Sequence, residues 1–238
     1  MRALGRIAVA CVALLVITGC GHRERVAAAP PPPPSIAATP VPNSEPEAGL
    51  EEVPQGRPIY TEVGMASWYG PPYNNRRGAN GKIYDQNAVT AAHRTLPLGS
   101  RIRVTNLTNG RSAMMEITDR GPFVPGRILD LSRGAAKDLG MLRAGTAKVR
   151  IEVYASPKPI YRGGRWCVQI GAFAHARTAK KLEQRLAEKY ESANVIEFTG
   201  PTGHWVRIRP ENGDKNRAIQ IVRNIRIQEG AAFLVRLD

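Results

Sequence analysis

The chain has 238 residues, with 34 Lys and Arg against 20 Asp and Glu, a formal net charge of +14, and three cysteines. In a cytosolic protein that charge raises the question of nucleic acid, so the compartment has to be settled first. Arg2 and Arg6 precede an unbroken apolar run from Ile7 to Ile17, too short to span a bilayer but suited to the core of a signal peptide. The run ends in Ile17-Thr18-Gly19-Cys20.

That tetrapeptide resembles a bacterial lipobox, which implies a leader over 1–19, cleavage before Cys20 and lipidation of the Cys20 thiol. Gly21 follows, not Asp, so the resemblance implies sorting to the outer membrane with the protein facing the periplasm. Cys11 leaves with the leader and Cys20 carries lipid, so Cys167 stands alone. An intramolecular disulfide and a cysteine-type structural zinc site are thereby excluded from the mature chain. An exported chain rarely meets nucleic acid. Its nearest polyanion is peptidoglycan, on which dispersed basic charge concentrates a protein.

Residues 20–58 hold ten of the nineteen prolines and no aromatic residue. Such a segment buries no core and reads as an extended tether with polyproline character, reaching on the order of 100 Å at ~3 Å per residue. Residues 59–155 read as short strands with turns. Arg101–Thr105 alternates basic and apolar residues, Asn109-Gly110 makes a hairpin turn, and Ser112–Thr118 returns with Met114, Met115 and Ile117 available to a core. Lys148–Tyr154 alternates as a further strand. After Leu131 a short helix is predicted, capped by Ser132, with Ala135, Ala136 and Leu139 on its apolar side and Gly140 at its end. About a hundred residues of this kind predict a small β-barrel.

Residues 156–165 form a basic linker. From Trp166 the expected order is strand (Trp166–Phe173), helix (His175–Tyr190), strand (Asn194–Phe198), strand (His204–Arg209), helix capped by Asp214, strand (Ala231–Leu237). This is a split βαβ arrangement with both helices on one face of one sheet over 166–238, the other face left open. Alternation puts Val168, Ile170, Val206 and Ile208 toward the helices, and Gln169, Trp205, Arg207 and Arg209 on the open face.

Between Ala66 and Ser132 several motifs follow in order: Ala66-Ser67-Trp68-Tyr69-Gly70, Ala79-Asn80-Gly81 with Tyr84-Asp85, Ala92 through Gly99, Val104-Thr105-Asn106-Leu107, Asp119-Arg120-Gly121-Pro122-Phe123 and Asp130-Leu131-Ser132. Over Met65 to Tyr154 they closely resemble the rare lipoprotein A family of septal-ring lytic transglycosylases, which implies a double-psi β-barrel. The last seventy-odd residues resemble a SPOR domain through Val168–Phe173 and Trp205–Ile208, which implies binding to peptide-poor peptidoglycan glycan strands at the division septum and a place among division-site proteins. The implied reaction breaks the MurNAc–GlcNAc bond without water, using the muramic C6 hydroxyl as nucleophile and leaving a 1,6-anhydro end. It needs no metal or organic cofactor. One carboxyl of raised pKa can serve as acid and then base.

Asp119 ends an apolar strand and starts a Gly-Pro turn, where a carboxyl can sit half-buried at a cleft. It matches the family's acidic motif and is the expected acid/base. Asp85 and His93 match two further catalytic positions. Trp68 and Tyr69 are expected to stack on sugar faces, and Arg120 to contact substrate. Lys82 departs from the family pattern, which commonly has Glu after Asn-Gly; Tyr73–Arg76 and Gly78 depart as well. A lysine there is a poor proton donor to a sugar oxygen but suits a lactyl carboxylate. If Glu is essential at that position the chain binds glycan without cutting it, an expansin-like wall-binding role. If Asp119 suffices, it cuts. On the second sheet Gln169, Trp205 and Arg207 are the expected contacts to an amino-sugar polymer.

Overall fold

A computed structural model of the chain describes residues 56–191, 193–197, 203–227 and 230–238. The leader, Cys20 and nearly all of the expected tether lie outside the described residues.

Six strands close a barrel: β1 (Tyr60–Trp68), β2 (Thr90–His93), β3 (Arg101–Asn106), β4 (Ser112–Asp119), β5 (Arg127–Leu131) and β6 (Thr146–Ala155), in the order β1-β5-β2-β4-β3-β6. β1 runs parallel to β5 and β2 parallel to β4, while the other neighbours are antiparallel. Those two parallel contacts are what a pair of crossed psi loops produces, and the fold is a double-psi β-barrel. Strand alternation builds the interior. β6 sends Ala147, Val149, Ile151 and Val153 inward to meet Ile102, Val104, Met115, Ile117, Leu129 and Leu131, all buried. Each Val, Leu, Ile or Met among them contributes roughly 1.5–3 kcal/mol by leaving water. Met114, expected in the core, pairs with Arg103 on the opposite face of β4, because period-2 alternation admits Met115 and Ile117 but excludes their neighbour.

The helix α1 (Arg133–Asp138) plugs one end with Ala135, Ala136 and, just beyond it, Leu139; Ser132 Oγ accepts from Ala135 N at 3.1 Å. The Asn109-Gly110 turn forms as predicted, with Gly110 at φ 74° and its N–H donating to Asn106 O. Three strands, β1, β2 and β5, were not separately resolved in the sequence. β2 has four residues and β1 buries only Ala66 and Ser67, so neither carries a long apolar alternation.

The second unit of structure is a four-stranded sheet of β7 (Trp166–Phe173), β8 (Ala193–Glu197), β9 (His204–Ile208) and β10 (Ala232–Arg236) in the order β10-β7-β9-β8, all antiparallel. Helices α2 (Ala176–Ala187) and α3 (Lys215–Asn224) cover one face through Ala179, Leu182, Leu186, Ala218 and Ile221 packed on Val168, Ile170, Val206 and Ile208. Asp214 caps α3, its Oδ1 accepting from Arg217 N.

The opposite face was expected to be open, and it is not. Cys167 and Val235 are fully buried, and Gln169 and Trp205 are 4% and 8% exposed. The barrel covers them. The Phe123 ring lies 4.8 Å from Trp205 and 5.9 Å from Phe233, edge-on to both. The Arg94 guanidinium sits over Phe233, and Arg236 N donates to Arg94 O at 2.9 Å. Alternation correctly assigned which residues share this face, but it carries no information on what packs against them.

Candidate active site

Near the end of β4 its pairing with β2 slips. Thr90 and Ala91 face Glu116 and Ile117, but Ala92 faces Asp119, so one extra residue is accommodated on β4. A bulge of this kind re-aims the side chains after it. Ile117 points into the barrel core, whereas Asp119 emerges in the wall of a cleft of about 230 Å³, together with Gly78, Asn80, Lys82, Ile83, Tyr84, Asp85, Ala88, Thr90, Glu116 and Thr118.

The loop over 77–83 forms the facing wall and is pinned to the end of β4. Asn80 N donates to Thr118 O at 3.1 Å, and Ala79 N donates to Asp119 Oδ1 at 2.9 Å. Arg120 N donates to the same oxygen at 2.8 Å. Oδ2 has no protein partner among the described residues. Burial raises the Asp119 pKa above the ordinary aspartate value, against the opposing pull of the Arg120 and Ala79 N–H groups and the Arg120 charge. The result is a carboxyl with one oxygen anchored and its charged form less favoured than in a free aspartate.

Lys82 and Asp85 are both exposed and both line the cleft. Lys82 N donates to Asn80 Oδ1, and Asp85 Oδ1 accepts from Asn87 N in an Asx turn. Glu116, a third acidic group in this wall, was not singled out from the sequence. Its signal was its place three residues before Asp119 on a strand whose next residue points to the core.

Other expected site residues stand behind the wall. His93 is 3% exposed, and both ring nitrogens are engaged. Nδ1 accepts from Thr95 N and Leu96 N at 3.1 and 3.0 Å, which puts the proton on Nε2, 3.1 Å from Glu62 Oε2. Burial lowers the His93 pKa, which favours the neutral ring. Glu62 is pushed up by burial, but the bonds from His93 and Tyr60 outweigh this, and its pKa is lowered. Arg120 sends its guanidinium away from the cleft, donating to His93 O, Leu96 O and Asp238 O at 3.0, 2.6 and 2.7 Å. Its burial lowers its pKa to about 10.

Trp68 packs against the barrel core. Tyr69 lies between Tyr73, edge-on, and Tyr84, tilted, with ring centroids at 5.7 and 4.7 Å, and no hydrogen bond of ordinary geometry reaches its buried Oη. On β5, Asp130 is a second carboxyl whose pKa burial raises, and its Oδ1 accepts from Ser67 Oγ at 2.6 Å. Ala92 pairs with Asp119 on one side and Asp130 on the other, so the two acids flank a methyl two strand spacings apart, roughly 9.5 Å between backbones. Gln169, Trp205 and Arg207 are on the second sheet, where Arg207 Nε and Nη2 donate to Gln169 Oε1 at 3.2 and 2.6 Å. No group of three or more metal-ligating side chains occurs among the described residues.

Residues 61–151 match the family described as lytic transglycolase, and residues 163–236 match the SPOR domain. The chain is 42% identical over 163 residues to the endolytic peptidoglycan transglycosylase RlpA of Campylobacter jejuni, an alignment covering 58% of each chain. It is 39% identical over 162 residues to the protein of that name from Vibrio cholerae, covering 65% of this chain and 61% of that one. A third, from Neisseria meningitidis, is 50% identical over 136 residues, covering 56% of this chain and 57% of that one. The chain thus spans about three fifths of the length of the relatives it matches. A lytic transglycolase barrel and a SPOR sheet follow one another here in the order the motifs indicate, and the chain is similar to the RlpA-named relatives.

Proposed function

We propose that this chain is a peptidoglycan lytic transglycosylase that cleaves the MurNAc–GlcNAc bond of stem-peptide-poor glycan. The observation that carries the reading is Asp119: half-buried in a cleft wall, one oxygen held by two backbone N–H groups, its protonated form favoured by burial. Protonated Asp119 gives its proton to the glycosidic oxygen as the C1–O4 bond breaks. The resulting carboxylate takes the proton from the C6 hydroxyl as O6 bonds to C1. The carboxyl is consumed as acid and restored as base, and no water is added. His93 and Arg120 act on the loop as positioning groups, since the first has both nitrogens engaged and the second spends its guanidinium on carbonyl oxygens. Lys82 and Asp85 contact substrate from the facing wall.

The leader over 1–19, the lipid on Cys20, the outer-membrane anchor and the tether over 20–58 belong to the same proposal: an arm that carries the barrel (59–155), linker (156–165) and SPOR sheet (166–238) into the wall, with enrichment at the division septum and division-site proteins as partners. A second reading, a non-catalytic wall-binding lipoprotein, is favoured by one observation, the amine of Lys82 in a wall where the family pattern has a carboxylate.

Soluble protein beginning at Gly21, incubated with stem-free glycan strands, separates the two by mass spectrometry. Anhydromuramic ends from the wild type but not from Asp119→Asn support the enzyme. Retained glycan without such ends supports the second reading.

A further inference from the structure

The face of the second sheet that carries Gln169, Trp205 and Arg207 is the face the barrel covers. β7 lies between β10 and β9 in the sheet. A ring that touches both Phe233 on β10 and Trp205 on β9 therefore spans β7, the strand that carries Gln169. Phe123 makes both contacts, and Gln169 beneath it is 4% exposed, its carbonyl oxygen spent on Arg207. A pyranose ring stacking on the Trp205 indole would need the position Phe123 occupies. Phe123 itself is outside the barrel core and only partly buried, on the loop directly after Asp119 and Arg120.

We infer that this sheet face is an interaction surface with two mutually exclusive occupants, the barrel loop at Phe123 and a glycan strand, so that glycan binding to the sheet undocks it from the barrel. The inference rests on the reading above that this face recognises glycan. Docking lowers the apparent affinity of the full chain by the fraction of molecules in which the face is free. Undocking also removes the Asp238 oxygen from the Arg120 guanidinium, so the event is felt at the loop that carries the acid.

The test measures binding of stem-free glycan strands to the soluble full-length chain and to Phe123→Ala, Phe123→Tyr and Phe123→Ala/Trp205→Ala. Phe123→Ala loses two ring contacts and is expected to bind roughly tenfold more tightly than wild type, with a red shift of tryptophan emission in the free protein. Phe123→Tyr keeps the ring and is expected to bind as wild type does. Adding Trp205→Ala to Phe123→Ala is expected to abolish the gain. If Phe123→Ala binds no better than wild type while the double variant binds worse, the face reads glycan but docking does not compete, and the inference falls alone. If the double variant binds as tightly as Phe123→Ala, the face is not the glycan site, and the reading falls with the inference.

Discussion

Asp119 owes its chemistry to opposing local effects. Burial disfavours its charge, and two N–H groups partly restore it, with a net rise in pKa. A general acid must be protonated, so under the proposed mechanism kcat/KM for glycan is expected to fall as pH rises through that elevated value, and the limb should vanish with the activity in Asp119→Asn. A raised carboxyl pKa makes ionisation less favourable in the folded state, so Asp119→Asn is expected to match or exceed wild type in urea titrations above about pH 5. Glu62 behaves oppositely. Its lowered pKa contributes stability above the ordinary glutamate range that is lost as pH falls through the folded value. Glu62→Gln should therefore cost about 1 kcal/mol near neutrality and converge on wild type in acid. Lys82 is exposed, and an exposed charge contact with a lactyl carboxylate is worth up to about 1 kcal/mol. Lys82→Ala is expected to raise KM up to about fivefold with kcat little changed. A collapse of kcat would instead make the amine part of the chemistry.

Elements hold those residues in place through a few close approaches. Ser132 is fully buried, and its Oγ accepts from Ala135 N and Thr90 N while donating to Ala88 O, so it caps α1 and ties the helix to β2 and to the loop before it. Ser132→Ala should cost about 2 kcal/mol by denaturant unfolding, the upper end of the range for a lost cap. Gly134 is tighter still. A Cβ there would stand 2.2 Å from Asn87 O, in the loop that carries Asp85 and whose Gln86 O accepts from Gly134 N. Gly134→Ala must displace that loop, and it is expected to destabilise the fold by roughly 1–3 kcal/mol. The bulge in β4 is the element-scale cause of the site. Without it Asp119 would follow Ile117 toward the core.

At the scale of the molecule, Asp238 joins the sheet to the rest. Its side chain accepts from Lys158 Nζ, Arg165 N and Arg236 Nε, and these outweigh burial and lower its pKa, while its carbonyl oxygen meets Arg120. Asp238→Ala is expected to split one calorimetric transition into two, and acid should do the same to wild type, because a lowered carboxylate pKa forfeits its contribution as pH falls.

The covalent order of residues by itself determined a small β-barrel followed by a two-helix sheet, the Ser132 and Asp214 caps, the Asn109-Gly110 turn and the faces of β7 and β9, because these depend on periodicity and on hydrogen bonds within a few residues, while the double-psi topology was implied by the family resemblance. It marked Asp119, Asp85 and Lys82 for a common cleft. Only the tertiary structure decided that His93 and Arg120 stand behind that cleft with their polar atoms spent, that Glu116 and Asp130 join the acids near Asp119, and that Trp205 and Gln169 lie under Phe123. Those outcomes turn on a one-residue bulge and on which surfaces meet across long stretches of chain. Neither leaves a period in the sequence, since alternation fixes only the side a residue faces, and packing between distant segments fixes what it finds there.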